Sequence, residues 1–123
     1  MAWNNIKTLQ MRGYGTKAQG LLVRYSEKED NACEVVSAGA TAPLPIVGVV
    51  KEPTMKDGEV CGIATEGLVM FVADGVIAKG KPIKPSTTDA GYVTQASSDS
   101  EAIGYAGRAT TQKGELFEGY FKK

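Results

Sequence analysis

The sequence predicts an all-β domain, a small antiparallel barrel or sandwich preceded by an extended N-terminal arm. Three observations carry this reading. From Gly20 onward the apolar residues fall in runs of three to eight, the length of strands. Those runs are separated by Xaa-Gly turns: Asp57-Gly58, Glu66-Gly67, Asp74-Gly75, Lys79-Gly80, Ala90-Gly91 and Lys113-Gly114. Fifteen glycines and five prolines in 123 residues fit many turns, and they lack the strict period of collagen. A chain of this length buries about two-thirds of its unfolded surface, so one core suffices.

The elements follow in order. Met1–Gly20 carries Lys7, Arg12 and Lys17 with no acid, and its apolar residues Trp3, Ile6, Leu9, Met11 and Tyr14 have no clean period. It reads as an extended arm, or as a first strand with a frayed end. Residues 21–123 form the single β domain. Its expected strands are Leu21–Tyr25, Cys33–Ser37, Ile46–Lys51, Glu59–Ala64, Leu68–Val72, Pro82–Lys84, Tyr92–Gln95, Ala102–Ala109 and Glu115–Lys122. One segment argues back, since Ser26-Glu27-Lys28-Glu29 fits a capping box and Gly39 a helix stop. Val35 and Val36 are β-branched and Glu27–Ala32 is polar, so a hairpin between the first two strands of the domain is favoured over a helix.

An internal echo runs through the domain. Val47-Gly48, Thr54 and Asp57-Gly58-Glu59 align with Ile103-Gly104, Thr110 and Lys113-Gly114-Glu115 at one constant offset of 56 residues. Glycine, threonine, glycine and glutamate recur where a strand, a connection, a turn and a second strand need them. Two copies are too few for a solenoid, so the echo implies pseudo-symmetry inside one domain.

Composition removes most chemistry. Fourteen basic residues balance fourteen acidic ones, so the positive footprint of a general nucleic-acid binder is missing. There is no histidine, which excludes Ser-His, Cys-His and His-ligated zinc sites. No run of 18 apolar residues is present to span a membrane as a helix, and Met1–Gln10 lacks the apolar stretch of a secretory signal, so a soluble chain made in the cytosol is expected. In that compartment Cys33 and Cys61 read as small buried hydrophobes rather than a disulfide.

The apparent motifs fail on their context. Gly75–Lys81 matches the start of a phosphate-binding P-loop, but Pro82 stands where Ser or Thr must ligate magnesium on a helix. Gly13–Ala18 satisfies a relaxed dinucleotide fingerprint without the required strand and helix. Glu52, Asp57, Glu59 and Glu66 have no spacing that singles out an acid–base pair, and Ser97–Ser100 is a polar loop rather than a metal cage. No catalytic residue, metal site or cofactor is expected.

The aromatic residues gather near the ends, with Trp3 and Tyr14 at one and Phe117, Tyr120 and Phe121 at the other. In the last strand Phe117, Gly119 and Phe121 face one way, as core, and Leu116, Glu118 and Tyr120 the other, which makes Tyr120 a candidate subunit contact. Zero net charge fits a chain that packs against other proteins.

Taken together, the strand Ile46–Val49, the turn Asp57–Glu59, the Glu66-Gly67 step into the apolar Leu68–Phe71, the segment Lys79–Ile83 and the closing Ile103-Gly104 strand resemble the capsid-decoration (cement) proteins of tailed bacteriophages. The resemblance spans about Leu44 to Phe121. It implies a β-tulip-like barrel or sandwich, a homotrimer on the outside of a virion head, the major capsid protein as partner, and no enzymatic activity, small-molecule substrate, nucleic acid or membrane. The arm departs from the pattern, being basic and irregular, and Lys81 stands where an acidic residue is usual. The expected capsid-binding residues are Trp3, Ile6, Lys7, Met11, Arg12, Tyr14 and Lys17, gripping an acidic shell by strand addition. The competing readings are another head or tail component, of the tail-tube, head-completion or fibre-base kind, and a small barrel that binds carbohydrate or single-stranded nucleic acid.

Overall fold

The structure, a computed structural model, describes residues 7–14, 19–25, 32–38, 46–52 and 60–122. These form nine strands: β1 Lys7–Tyr14, β2 Leu22–Tyr25, β3 Ala32–Val35, β4 Ile46–Glu52, β5 Val60–Val72, β6 Pro82–Pro85, β7 Val93–Gln95, β8 Gly104–Ala106 and β9 Leu116–Phe121, with a single 3-10 turn at Asp99–Glu101. The all-β expectation holds. β2 and β3 pair antiparallel and residues 32–35 are strand, so the helix from Glu27 to Ala38 does not form over its described part.

Pairing runs β1-β3-β2-β4-β5-β9-β8-β6-β7, and an additional β1–β5 ladder joins the first strand to the middle one. The first five strands therefore close into a ring. The other half closes as well, because Ala73 at the end of β5 makes a parallel bridge to Val93 of β7 and the Asp74 N–H donates to the Val93 carbonyl at 2.9 Å. Closure satisfies edges that would otherwise template aggregation.

Two corrections concern strand limits. Glu59–Ala64 and Leu68–Val72 are not separate strands about a Glu66-Gly67 turn: β5 runs unbroken for 13 residues. Gly67 takes φ +107° without reversing the chain. It marks a change of neighbours, since residues before it pair with β1 and β4 and residues from it onward pair with β9. The predicted Ala102–Ala109 strand shrinks to Gly104–Ala106. Of the predicted turn glycines, Gly80, Gly91 and Gly114 carry positive φ, Gly75 does not, and Asp57-Gly58 lies outside the described residues.

The internal echo extends over the entire described fold. The β2–β3 pairs Val23↔Val35, Arg24↔Glu34 and Tyr25↔Cys33 reappear sixty residues on as the β6–β7 pairs Ile83↔Gln95, Lys84↔Thr94 and Pro85↔Val93. The β4–β5 pairs Val49↔Ala64 and Val50↔Ile63 reappear at the offset of 56 as Tyr105↔Tyr120 and Ala106↔Gly119. The antiparallel run Thr8↔Ala64 to Arg12↔Val60 becomes Leu68↔Tyr120 to Val72↔Leu116, and the parallel pair Gly13↔Cys33 becomes Ala73↔Val93. Irregular bonds repeat too: Gly20 N–H to Val50 carbonyl matches Gly80 N–H to Ala106 carbonyl, and Val36 N–H to Leu22 carbonyl matches Ala96 N–H to Pro82 carbonyl. The chain is thus two copies of one five-stranded unit in tandem, and β5 is the last strand of the first copy fused at Gly67 to the first strand of the second.

The units are filled differently. Val23, Cys33, Val47, Val50 and Ile63 form the buried cluster of the first. In the second, Ala106 and Gly119 replace Val50 and Ile63, and the space goes to Phe71, Phe117 and Phe121, all fully buried. The Phe71 ring lies 5.7 Å from Phe117 and 6.4 Å edge-on from Phe121, distances at which aromatic pairs attract beyond their area burial. Leu22, Val36, Ile46 and Val49 of the first unit join this second cluster, which locks the two units together.

Candidate functional site

The sequence-predicted binding residues fall in two places. Trp3, Ile6 and Lys17 lie outside the described residues. Lys7, Met11, Arg12 and Tyr14 belong to β1, which takes the strand alternative rather than the arm over these positions. Its backbone is engaged on both sides: Lys7 to Arg12 pair with β5, and Arg12 to Tyr14 pair with β3. A strand so placed completes its own ring.

Tyr120 is exposed and faces outward, as the alternation of the last strand predicts, while Phe117 and Phe121 are buried. The sheet gives it neighbours that the sequence alone does not. It lies directly across from Leu68 of β5 on one side and from Tyr105 of β8 on the other, and Tyr105 lies across from Pro82 of β6. Leu68, Tyr120, Tyr105 and Pro82 therefore form one continuous row over four strands on the outer face. Directly opposed side chains in antiparallel sheet sit about 5 Å apart, so the row acts as one surface. Leu68 is 63% exposed and Tyr120 42%. The Lys122 ammonium lies 5.4 Å from the centre of the Tyr105 ring, and Glu118 is exposed on the other side of Tyr120 along β9. A groove of about 270 Å³ opens beside the row between Leu68, Met70, Glu118, Lys51 and Val50. The missed members, Leu68, Tyr105 and Pro82, come together only through register; the one sequence signal for Tyr105 is its place in the echo, opposite Val49.

Three ion pairs of the second unit tie its turns and short connections together. Lys113 pairs with Asp89 at 2.9 Å, Arg108 with Glu115 at 2.9 Å and Lys84 with Glu101 at 3.3 Å. Each carboxyl is held below its usual range, Asp89 first by the Lys113 ammonium, Glu101 first by the Ser97 hydroxyl, and Glu115 first by the Thr111 N–H with the Arg108 guanidinium next. The Ser86 hydroxyl donates to Asp74 at 2.8 Å and accepts from the N–H groups of Thr88 and Asp89, so it fastens the turn before β7. Of the four carboxylates that could have formed an acid–base pair, Asp57 and Glu59 lie outside the described residues, and Glu52 and Glu66 sit on adjoining strands that pair at other positions. Among the described residues no three His, Cys, Asp or Glu side chains converge as a metal cage, and no helix is long and apolar enough to cross a membrane. Pro82 opens a strand, so the P-loop-like segment leads into β6 and not into a helix.

No protein-family model matches the chain, and no curated protein matches it by sequence. Solved structures do match it by shape, among them two from bacteriophage heads. The N base of the head fiber gp8.5 of bacteriophage phi29 superposes with a TM-score of 0.63 at 16% identity, covering 95% of this chain and 94% of that one. A chain from the capsid of Myoviridae phage XM1 superposes with a TM-score of 0.65 at 12% identity, covering 100% of this chain and 87% of that one. The protein shares its fold, over nearly its whole length, with chains of a bacteriophage head fiber and a bacteriophage capsid.

Proposed function

We propose that this protein is a structural component of a bacteriophage head, a decoration protein that binds the outer surface of the capsid and stabilises it. The observation that carries the reading is the near end-to-end likeness to two chains from phage heads, reached independently of the strand and turn resemblance in the sequence. The major capsid protein is the partner, the working form is a homotrimer, and no reaction is catalysed. In support, the ion pairs Lys84–Glu101, Arg108–Glu115 and Lys113–Asp89 and the Ser86–Asp74 bond are engaged in turns and short connections.

The mechanism needs only binding. A ligand that prefers the closed shell stabilises it by RT ln(1 + [L]/Kd), about 2.7 kcal/mol when its concentration is one hundred times Kd. Many sites per shell compensate for modest affinity at each. The test is to mix the purified protein with expanded heads that lack decoration, and to measure co-sedimentation and the temperature at which heads open. Saturable binding with a raised opening temperature supports the reading; failure to bind removes it.

The likeness to a head fiber base favours one second reading, in which the chain seats a longer appendage on the head. Seating an appendage requires no preference for the closed shell, so saturable binding without a raised opening temperature favours this second reading.

A further inference from the structure

We infer that the outer row Leu68–Tyr120–Tyr105–Pro82 is the surface through which one copy of this chain binds another. The internal duplication supplies the argument. The corresponding row of the first unit is Thr8–Ala64–Val49–Leu22, in the same register over the corresponding four strands. There Leu22 is 0% exposed and Val49 and Ala64 each 1%. Leu22 and Val49 are covered by the second unit, since both belong to the cluster of Phe71, Ile77 and Val93, and the Leu22 N–H donates to the Gly91 carbonyl at 2.9 Å. This face of the unit is therefore already seen buried against another copy of the same unit. The second unit presents the same face with Leu68 and Tyr120 exposed among the described residues.

The exchanged residues fit an intermolecular contact. Ala64 and Val49, small and aliphatic, become Tyr120 and Tyr105, side chains with a broad apolar ring and a polar tip that suit surfaces wet when free and dry when bound. Charge selects the occupant. Along β9 the outward positions read Leu116, Glu118, Tyr120 and Lys122, so an acid and a base flank Tyr120 at equal spacing. Where a second copy meets this strand antiparallel about Tyr120, or copies follow one another head to tail around a ring, Glu118 of one chain lies against Lys122 of the next. The surface is complementary to itself.

The inference rests on the self-association in the proposed function and not on head binding, and its test needs no heads. The mass of the full chain is measured in solution over a wide concentration range by analytical ultracentrifugation. Wild type should associate. Tyr120→Glu and Leu68→Glu should each weaken association by about 30-fold or more, the size of a hot-spot loss, with an unchanged circular dichroism spectrum because both side chains are exposed. Val76→Glu, equally exposed but on the loop after Asp74, should leave association intact. Glu118→Lys and Lys122→Glu should each weaken it, and the two together should restore it. An oligomeric wild type whose row variants associate as tightly as before overturns the surface and leaves the oligomer standing. A monomeric wild type overturns both.

Discussion

Gly48 and Gly104 hold the same position in the two units, each beneath the backbone carbonyl of the residue sixteen places further on. A Cβ added to Gly48 would collide with the Ala64 carbonyl oxygen, and one added to Gly104 with that of Tyr120. The pairs Val49↔Ala64 and Tyr105↔Tyr120 fix both approaches through equivalent registers. The repeated Val/Ile-Gly dipeptide therefore has a cause: each closing hairpin crosses at a spacing that admits no side chain.

Gly104→Ala should accordingly destabilise the protein by about 1–3 kcal/mol, the range for overpacking against a neighbour that cannot yield. Gly48→Ala should do the same. Gly75→Ala is the control, because a Cβ there meets nothing within 4 Å; it should be neutral or slightly stabilising. Denaturant unfolding of the three variants decides.

Thr110, the second member of the recurring threonine pair, has a structural task of its own. Its hydroxyl accepts from the Ile77 N–H at 2.9 Å and donates to the Gly75 carbonyl at 2.7 Å, with the residue 2% exposed. One side chain thus pins the loop between β5 and β6. Thr110→Val keeps the shape and loses both bonds, leaving a buried N–H unpaired, so it should cost about 2 kcal/mol. Thr110→Ser should retain most of the stability, and thermal melts distinguish the two.

The three phenylalanines carry the second unit. Phe71→Ala should cost about 3–5 kcal/mol, as for other fully buried aromatics. Gly119→Ala should also destabilise, because its Cβ would stand 2.9 Å from the Phe71 ring and 2.6 Å from the Tyr105 carbonyl oxygen. Adding Phe71→Leu to Gly119→Ala should rescue only part of the loss, since the carbonyl does not move with the ring. A double-mutant cycle measures this coupling.

Much of this fold is legible in the sequence, and what escapes does so for a reason. Strands with a buried face and a glycine turn, such as β4, β6 and β9, stand close to where periodicity puts them. The Glu66-Gly67 step misleads, because a glycine at positive φ signals a turn unless neighbours on both sides hold the chain extended, and those neighbours are more than fifty residues away along the chain. The duplication is visible only in its second half, where Gly48, Thr54, Gly58 and Glu59 recur at one offset. Its first half is hidden because the stretch from Val35 to Val47 is four residues longer than its counterpart from Gln95 to Ile103, which shifts the offset, and because the cores diverge from Cys33 and Ile63 to Val93 and Gly119. The outer row is illegible for a deeper reason: residues as distant as Leu68 and Tyr120 become neighbours through register alone.

Stability should be flat from about pH 5 to about pH 9, since no histidine titrates there. Asp89, Glu101 and Glu115 have folded pKa values below their ordinary 3.8, 4.5 and 4.5, so their contribution is present above those values. It is lost as pH falls through the lowered folded values. Lys113 is raised above 10.5 by Asp89, so its contribution is present below that value and lost as pH rises beyond it. Lys113 is exposed and the three carboxyls are half-buried at the surface, so the effects are small and screened by salt. Thermal midpoints from pH 7 down to pH 2, at low and at 1 M salt, should fall below pH 4.5 and less steeply for Glu115→Gln.

The placement of β1 changes how the arm must be tested. Removing Met1–Gly20 also removes Lys7–Tyr14, and with it the ladder to β5 and the parallel pairs to β3 that close the first ring. Such a truncation exposes two strand edges at once and should unfold the first unit, so its loss of head binding would say nothing about docking. Removing Met1–Ile6 deletes Trp3 and Ile6 and leaves every described pairing intact. It should keep the melting temperature within a few degrees of the full chain and, if the arm grips the capsid, abolish co-sedimentation with heads. A chain that begins at Lys7, melts normally and still saturates heads would move docking onto the described surface of the β domain.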